Sequence, residues 1–277
     1  MITRSKGFAA VLLAVAFAGM LFGVHASEQK STTGHETVRA VSNADPAFPK
    51  ALLMPYGLVV IPKIDRVVST NSSMHDADIF GGVTYQVWRL SDLRLLKTAN
   101  LDVGENLYAH ISPQEPRLGP DGSVFVQTLG CGLERITRID APEPHAKLVY
   151  TFPGNWCGVP TIVGRHFVQS VPAVHGLIVL SLADPAKPVE VSRLKLSDNY
   201  FPHWTSWDPE TRRLVVTSSS TPEERMYLLR LDETTGALSV DRSFHDTDAQ
   251  PGFSFNERDW PHGWRGAARP HGAVFTR

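Results

Sequence analysis

Short runs of apolar residues follow one another from Leu52 onward, separated by turns rich in Gly, Pro and Asp. Runs of this length, rich in β-branched and aromatic residues and bounded by turn residues, predict β-strands. The strands fall into four groups of four, and the second strand of each group ends in Ser or Thr. These marked residues recur every 42 to 58 positions, at Thr70, Thr128, Ser170 and Thr217.

Each group has the same internal order: a short first strand, the marked second strand, an apolar third strand and a more polar outer strand. The predicted first strands are 56–62, 115–120, 159–163 and 203–207, and the second strands are 66–70, 123–128, 166–170 and 213–217. The third strands are 85–90, 133–139, 177–182 and 226–231, and the outer strands are 95–101, 147–152, 190–196 and 238–244. A four-stranded unit at this period predicts an all-β fold, a β-propeller of about four to five four-stranded blades. An ordinary β-sandwich built from regular hairpins is the alternative.

The sequence does not show how the first and last blades of the propeller would meet to close its ring. The four groups occupy about 52–246, and the segment 270–276 resembles the first strand of another blade, since Pro270-His271 matches Pro202-His203. Residues 27–50 are polar and predict a linker. The expected domain, 51–277, is therefore either a small closed ring or an incomplete arc. An arc would leave blade faces unpaired, which favours a homo-oligomer.

The first 26 residues predict a secretory signal peptide. Arg4 and Lys6 precede an apolar run from Phe8 to Val24, and the small residue Ala26 comes at the expected cleavage point. The run is short for a membrane span, so an uncleaved anchor is the less favoured alternative. The sequence therefore predicts a periplasmic or secreted protein, with no other membrane segment.

Composition narrows the choice of partners and chemistry. The formal net charge is −1, so no basic field is present to attract nucleic acid. The nucleophile elbow of α/β-hydrolases, the P-loop, the dinucleotide fingerprint and the His-Glu-x-x-His zinc motif are all absent. The two cysteines, Cys131 and Cys157, would meet an oxidising compartment after export, which favours a disulfide over free thiols or a metal pair.

Four segments carry a family resemblance: 56–70, 87–96, 184–188 and 212–217. They resemble the later blades of selenium-binding proteins, a family that includes the methanethiol oxidases, and the resemblance covers roughly 50–277. Members of that family are longer on the N-terminal side and have seven blades. The methanethiol oxidases are thought to use copper held by histidines. The resemblance thus implies a propeller, with copper as the expected cofactor of any retained oxidase activity.

Four histidines are the predicted metal ligands, because they lie at or near the starts of first strands or in the tail. The first strand of each blade lines the propeller channel, where neutral imidazoles from different blades could converge on copper or zinc. The alternative is that they make hydrogen bonds at turns. His75, with Asp76 and Asp78, marks a polar loop that either binds a cation or is a solvated hairpin. The four predicted ligands are His110, His203, His262 and His271.

Two functions remain open from the sequence. The first is an exported binding module for a small ligand, such as a thiol, or for a periplasmic protein. The second is a periplasmic, copper-dependent oxidase of small thiols such as methanethiol. Five tryptophans in the second half would serve either as an aromatic ligand platform or as wedges between blades; they are Trp156, Trp204, Trp207, Trp260 and Trp264.

Overall fold

The computed structural model describes residues 55–71, 82–102, 112–219 and 222–276. The predicted signal peptide and linker, and also His75 and His110, lie outside these described residues. The described chain is all-β apart from two short 3-10 turns, Pro62–Ile64 and Pro172–Val174. Its described part contains no helix that is long and apolar enough to cross a membrane.

Four antiparallel meanders follow one another along the chain, as the sequence predicts. Blade 1 contains β1 (Pro55–Ile61), β2 (Arg66–Asn71), β3 (Thr84–Arg89) and β4 (Leu95–Asn100). Blade 2 contains β5 (Pro113–Leu118), β6 (Val124–Thr128), β7 (Gly132–Thr137) and β8 (His145–Thr151). Blade 3 contains β9 (Thr161–Val163), β10 (His166–Val171), β11 (Gly176–Ser181) and β12 (Val189–Lys195). Blade 4 contains β13 (Pro202–Asp208), β14 (Arg213–Ser218), β15 (Arg225–Leu231) and β16 (Leu238–Val240).

The first strands β1, β5, β9 and β13 lie side by side at the inner edge of the arc. Because each meander alternates direction, the first strands begin and the second strands end at the same end of the arc, which we call the top face. The segments that join one blade to the next also reach the first strands there. The top face is therefore where residues from different blades come together.

The core lies between blades rather than within them. Blade 1 packs on blade 2 through side chains that include Val68, Val87 and Val126, and all three are buried. Similar apolar clusters join blade 2 to blade 3 and blade 3 to blade 4. Each fully buried side chain of this size contributes about 1.5–3 kcal/mol relative to exposure. A blade thus depends on its neighbours for most of its stability.

Side chains near the ends of the second strands connect blade 1 to blade 2, blade 2 to blade 3, and blade 4 to the tail. In blade 1, Thr70 Oγ1 donates a 2.6 Å hydrogen bond to the carbonyl oxygen of Gln114 on β5. In blade 2, Gln127 Nε2 donates to the carbonyl of Cys157, just before β9. In blade 4, Thr217 Oγ1 donates to the carbonyl of His271 in the tail. The tail therefore lies where the first strand of a following blade would begin.

Replacing Thr70 with valine tests how much these hydrogen bonds between neighbouring blades stabilise the protein. Thr70 is fully buried, and its hydroxyl also accepts a hydrogen bond from the backbone N–H of Gly57. The isosteric change keeps the volume but leaves two buried backbone groups without their partner, so we expect a loss of about 1–3 kcal/mol in the free energy of unfolding. Urea denaturation measures this loss. The matched control is Thr151→Val on the exposed edge of β8, which should change stability by less than about 0.5 kcal/mol.

The tail covers the outer face of blade 4, which is the face that points away from blade 3. Among the described residues the tail does not form a further blade. Phe255, Ala273 and Phe275 pack on Val215 and Leu228 of that face. Two short pairings precede this contact: β17 (Phe253–Ser254) pairs with β15, and β18 (Arg258–Asp259) pairs with β19 (Arg265–Gly266). The segment 270–276, predicted as a strand, has the expected position but no strand pairing.

The outer strand of blade 4 is shorter than predicted, ending at Val240 rather than at 244. The carboxylate of Asp241 is buried and forms ion pairs with Arg213 (3.2 Å) and Arg230 (3.1 Å). It also accepts hydrogen bonds from the backbone N–H and hydroxyl of Ser243. These contacts of the buried Asp241 carboxylate direct the chain away from the sheet. As a result, β17 pairs with the part of β15 that β16 leaves free.

Blade 1 has one face against blade 2 and one face that the described chain leaves open. On the open face, Leu58 is 62% exposed and Val60 is 41% exposed. No apolar cluster of the described residues joins blade 4 back to blade 1. The described blades thus form an arc with one free face.

Candidate ligand site at the top face

Four aromatic side chains converge at the top face, where blade 3, blade 4 and the tail meet. The ring centroids of Trp156 and Phe201 are 5.0 Å apart, and those of Trp156 and His203 are 5.9 Å apart. The ring of His271 lies 4.4 Å from that of His203. His203 is buried, whereas His271 is exposed. The cluster therefore joins an interior imidazole to a solvent-facing one.

The local backbone explains why these residues meet. Pro202 starts β13, and the register of β13 against β14 shifts between Pro202 and Thr205. Such a bulge re-aims the side chains beside it, here His203. Pro270, which is also buried, comes directly before His271 in the tail.

A buried carboxylate fixes the tail beside this cluster. Glu224 accepts a 2.7 Å hydrogen bond from the hydroxyl of Ser218 and a 2.9 Å hydrogen bond from Nε of Arg269. Its side chain is almost entirely buried. Because Arg269 is two residues before His271, this ion pair holds the tail at the end of β14. No sequence motif marked Glu224 or Arg269: Glu224 is distant from both histidines along the chain, and Arg269, although close to His271, belongs to no recognised motif.

The hydrogen bonding of His203 defines its tautomer. Its Nδ1 lies 3.0 Å from the carbonyl oxygen of His271. A carbonyl only accepts, so Nδ1 carries the proton and Nε2 keeps a free lone pair. Burial lowers the pKa of His203 to about 4; the contact with the His271 carbonyl raises it, and the nearby His271 and Arg269 lower it further. His203 is therefore neutral at pH 7, the form in which imidazole binds metals.

Acid should destabilise the fold through His203. Its pKa in the folded state, about 4, lies below its ordinary value of 6.5, so the unfolded chain takes up the proton first as the pH falls. The contribution of His203 is complete above about pH 6.5 and is lost between there and pH 4. The loss is on the order of 3 kcal/mol.

Chemical denaturation across this pH range measures the effect, with His203→Gln as the comparison. The variant should show a flatter dependence of unfolding free energy on pH than the wild-type protein. Equal slopes for the two proteins would contradict the buried, neutral state of His203. His245→Gln, a change at an exposed histidine, should leave the slope as in the wild type.

The structure brings two of the four predicted ligands together and leaves the set of four a prediction. His203 and His271 form the pair described above. His262 lies in the turn between β18 and β19, with its ring 6.5 Å from that of Trp260. His110 lies outside the described residues. Within the ranges that the structure describes, no group of three or more His, Cys, Asp or Glu side chains could hold a metal ion.

The tryptophans divide between the two roles considered from sequence. Trp156 joins the top-face cluster. Trp207 packs in the apolar cluster between blades 3 and 4. Trp204 lies beside Gly272, where a Cβ atom would be 3.3 Å from the indole ring. Trp260 and Trp264 stack on each other in the tail, with centroids 6.2 Å apart. Only Trp156 is thus placed in ring contact with the histidine pair.

The disulfide is adjacent to the cluster along the chain. Cys131, in the turn between β6 and β7, is bonded to Cys157, which comes next to Trp156 on the connection to blade 3. Both cysteines are fully buried in the apolar cluster between blades 2 and 3. The disulfide favoured from the sequence is therefore present, and it anchors the segment that carries Trp156.

A polar cavity of about 580 Å³ opens near the outer edge of the top face and had no signal in the sequence. Glu223 on its wall accepts a 2.6 Å hydrogen bond from the hydroxyl of Tyr227 and another from the hydroxyl of Ser197. Burial raises the pKa of Tyr227, and the carboxylate of Glu223 raises it further, so Tyr227 stays protonated. The cavity draws on four separate chain segments, which explains why no motif predicts it.

No protein-family model matches the sequence, and no curated protein matches it either. Solved structures match its fold. A hypothetical selenium-binding protein from Sulfolobus tokodaii is 15% identical with a TM-score of 0.55, over 73% of this chain and 55% of that one. The periplasmic gluconolactonase of Pseudomonas aeruginosa is 12% identical with a TM-score of 0.52, over 72% and 55%. A putative 6-phosphogluconolactonase from Bacteroides uniformis is 16% identical with a TM-score of 0.52, over 67% and 55%.

At these identities the likeness shows the fold alone. The chain spans about half the length of the solved structures that it matches. The selenium-binding likeness inferred from the sequence reappears among these structures beside lactonase-type propellers. The comparisons together with the four meanders make this chain a β-propeller-type all-β protein.

Proposed function

We propose that this chain is an exported binding module whose ligand is a metal ion of the copper or zinc class, held at the top face by His203 and His271. The observation that carries the proposal is the approach of the two imidazole rings to 4.4 Å with Nδ1 of His203 already donating to a backbone carbonyl. Histidine ligands of metals commonly have this second hydrogen bond, which fixes the tautomer and the ring orientation.

The donor set fits such an ion in part. Two imidazole ligands suit copper and zinc better than magnesium or calcium, which prefer oxygen ligands. The low pKa of His203 keeps its Nε2 available at neutral pH and in mild acid. Further ligands would come from solvent, from a small molecule or from the part of the chain that includes His110.

Metal titration with matched variants tests the proposal. Binding of Cu²⁺ and of Zn²⁺, measured by competition with a chelator of known affinity, should show one site per chain in the wild-type protein. His203→Gln and His271→Gln should each weaken binding at least about tenfold, a change of 1.4 kcal/mol. His262→Gln is the control and should bind as the wild type does. Unchanged affinity in both top-face variants would refute the site.

Oxidation of small thiols is the second candidate. Two protein ligands leave coordination positions open for a thiolate and dioxygen, and the sequence resembles a family that includes methanethiol oxidases. A bound copper ion would supply the redox chemistry, while Trp156 and Phe201 would line the apolar side of the site. Methanethiol consumption by the copper-loaded protein, absent in His203→Gln, would support this function. Metal binding without methanethiol consumption would support the binding module and contradict the oxidase.

The proposal also includes export of the protein from the cytoplasm. The buried disulfide fits an oxidising compartment, such as the periplasm or the medium. Cell fractionation with an antibody against the C-terminal tail would locate the protein. Recovery in the cytoplasm with both cysteines reduced would contradict export.

A further inference from the structure

We propose that the open face of blade 1 binds the tail-covered end of a second copy of this chain, so that two arcs joined head to tail complete one ring. The proposal concerns an interaction surface and does not depend on the metal site. It rests on three features: an apolar face that has no partner among the described residues, a tail in the position of a first strand, and the number of described blades.

The open face of blade 1 corresponds to a face that every later blade buries. In blade 2, Val124 and Val126 pack on blade 1. In blade 3, Phe167 and Ile178 pack on blade 2, and in blade 4 the corresponding side chains pack on blade 3. Only blade 1 lacks a preceding blade among the described residues. A second copy in that place would continue an interface that the chain already uses three times.

The apolar side chains of this face are concentrated on its inner strand. Leu58 and Val60 point away from blade 2, because their neighbours Val59 and Ile61 pack towards it. Val67 lies beside Val60 on β2, and Trp88 lies beside Val67 on β3. Val67 itself is buried and Trp88 is half-buried, so the exposed apolar area of this face lies on β1, at Leu58 and Val60. Exposed apolar side chains grouped in this way mark an interaction site.

The tail supplies the matching end. Thr217 binds the carbonyl of His271 as Thr70 binds that of Gln114, so the tail occupies the position of a first strand. Ala273 and Phe275 face blade 4, and Val274 between them is 66% exposed. Val274 therefore faces the place where a following blade would pack.

Two arcs of four blades match the size of a propeller ring. Each of the three solved structures compared above is matched over only 55% of its chain, so this arc corresponds to about half of such a structure. Propeller rings commonly contain about four to eight blades, and two arcs of four would give about eight. A two-fold axis through the ring centre would bring each blade 1 to the tail of the other copy. Both free ends would then be covered in one closed assembly.

Charge also favours head-to-tail pairing over contact between two blade 1 faces. The described residues of blade 1, 55–71 and 82–102, include five basic and three acidic side chains. The segment 241–277 includes five basic and five acidic side chains. Blade 1 is thus net positive, whereas the tail region is neutral. Two blade 1 faces would repel each other and would leave both tails exposed.

Cysteine cross-linking between two single variants tests the arrangement. Val60→Cys and Val274→Cys proteins are purified separately with the native disulfide intact, mixed, and oxidised mildly. Head-to-tail pairing predicts a covalent dimer that contains one chain of each variant. Val189→Cys replaces Val60→Cys in the control, because Val189 on β12 is similarly exposed, at 58%, but lies on an outer strand. The control mixture should give no cross-link.

Sedimentation of the unmodified protein provides a second readout. We expect a particle with the mass of two chains, and a Leu58→Asp, Val60→Asp variant with the mass of one. A one-chain mass for the wild-type protein at all concentrations, together with no mixed cross-link, would overturn the proposal. Cross-linking of Val60→Cys with itself would also overturn it, because that result requires two blade 1 faces in contact. Both substituted positions are exposed, so the cysteine variants should fold as the wild type does.

Discussion

Removing the disulfide should lower the free energy of unfolding by about 3–4 kcal/mol. Cys131 and Cys157 are 26 residues apart, and the bond between them closes the loop that contains β7 and β8. In the chain-entropy model, opening a loop of this length increases the entropy of the unfolded chain by that amount. We expect the Cys131→Ala, Cys157→Ala double variant to show the loss in urea denaturation.

The native contacts around the disulfide should remain in this variant. The backbone N–H of Cys157 donates to the carbonyl of Leu129, and the carbonyl of Cys131 accepts from Phe152. Alanine is preferred to serine here, because both sites are buried and a hydroxyl would lack a partner. Reducing the wild-type protein should produce a similar loss, whereas adding reductant to the double variant should change nothing. Equal stability of variant and wild type would show that the bond does not constrain the unfolded chain.

Truncating Phe167 should have an effect of similar size through packing. Its ring is fully buried between blades 2 and 3, with centroids 6.1 Å from Phe125 and 6.3 Å from Phe152. Phe167→Ala removes this burial and leaves a cavity, so we expect a loss of about 3–5 kcal/mol. Val189→Ala, at an exposed position on β12 of the same blade, should cost less than about 0.5 kcal/mol.

A double-mutant cycle would show that the loss belongs to the blade interface. Phe125→Ala and Phe167→Ala remove rings that face each other across blades 2 and 3, so their effects should not add. Additive losses would mean that the two rings stabilise their own blades separately. Losses below about 1 kcal/mol for each variant would contradict the packing between these blades.

The second and third strands could be predicted closely because their apolar runs are continuous and flanked by turns. The predicted second strand 166–170 and the observed β10, His166–Val171, differ by one residue. First and outer strands were less predictable where a side chain or a close contact decides the boundary. β9 begins at Thr161 rather than at 159, since the chain before it passes so close to the His203 carbonyl that Gly158 has no space for a Cβ atom. Likewise, the buried pairs of Asp241 end β16.

The candidate site was predictable where two local sequences match. Pro202-His203 and Pro270-His271 share a motif and come together in space. His262 shares the Pro-His-Gly motif with His271, yet it lies in a separate hairpin beside Trp260, because a three-residue motif does not specify position in the fold. Trp156 approaches the site from the end of another blade, and spacing along the chain carries no information about that contact.

The open face of blade 1 also sets an order of local unfolding along the arc. Blades 2 and 3 are held on both faces, and the tail covers the outer face of blade 4, whereas the described chain holds blade 1 on one face only. In a repeat protein each unit is stabilised by its immediate neighbours, so a unit with one interface opens at a lower free energy than a unit with two. Amide protons of β2 and β3 would then exchange with solvent before those of β6 and β10, and blade 1 would be the part of the arc most responsive to a binding partner.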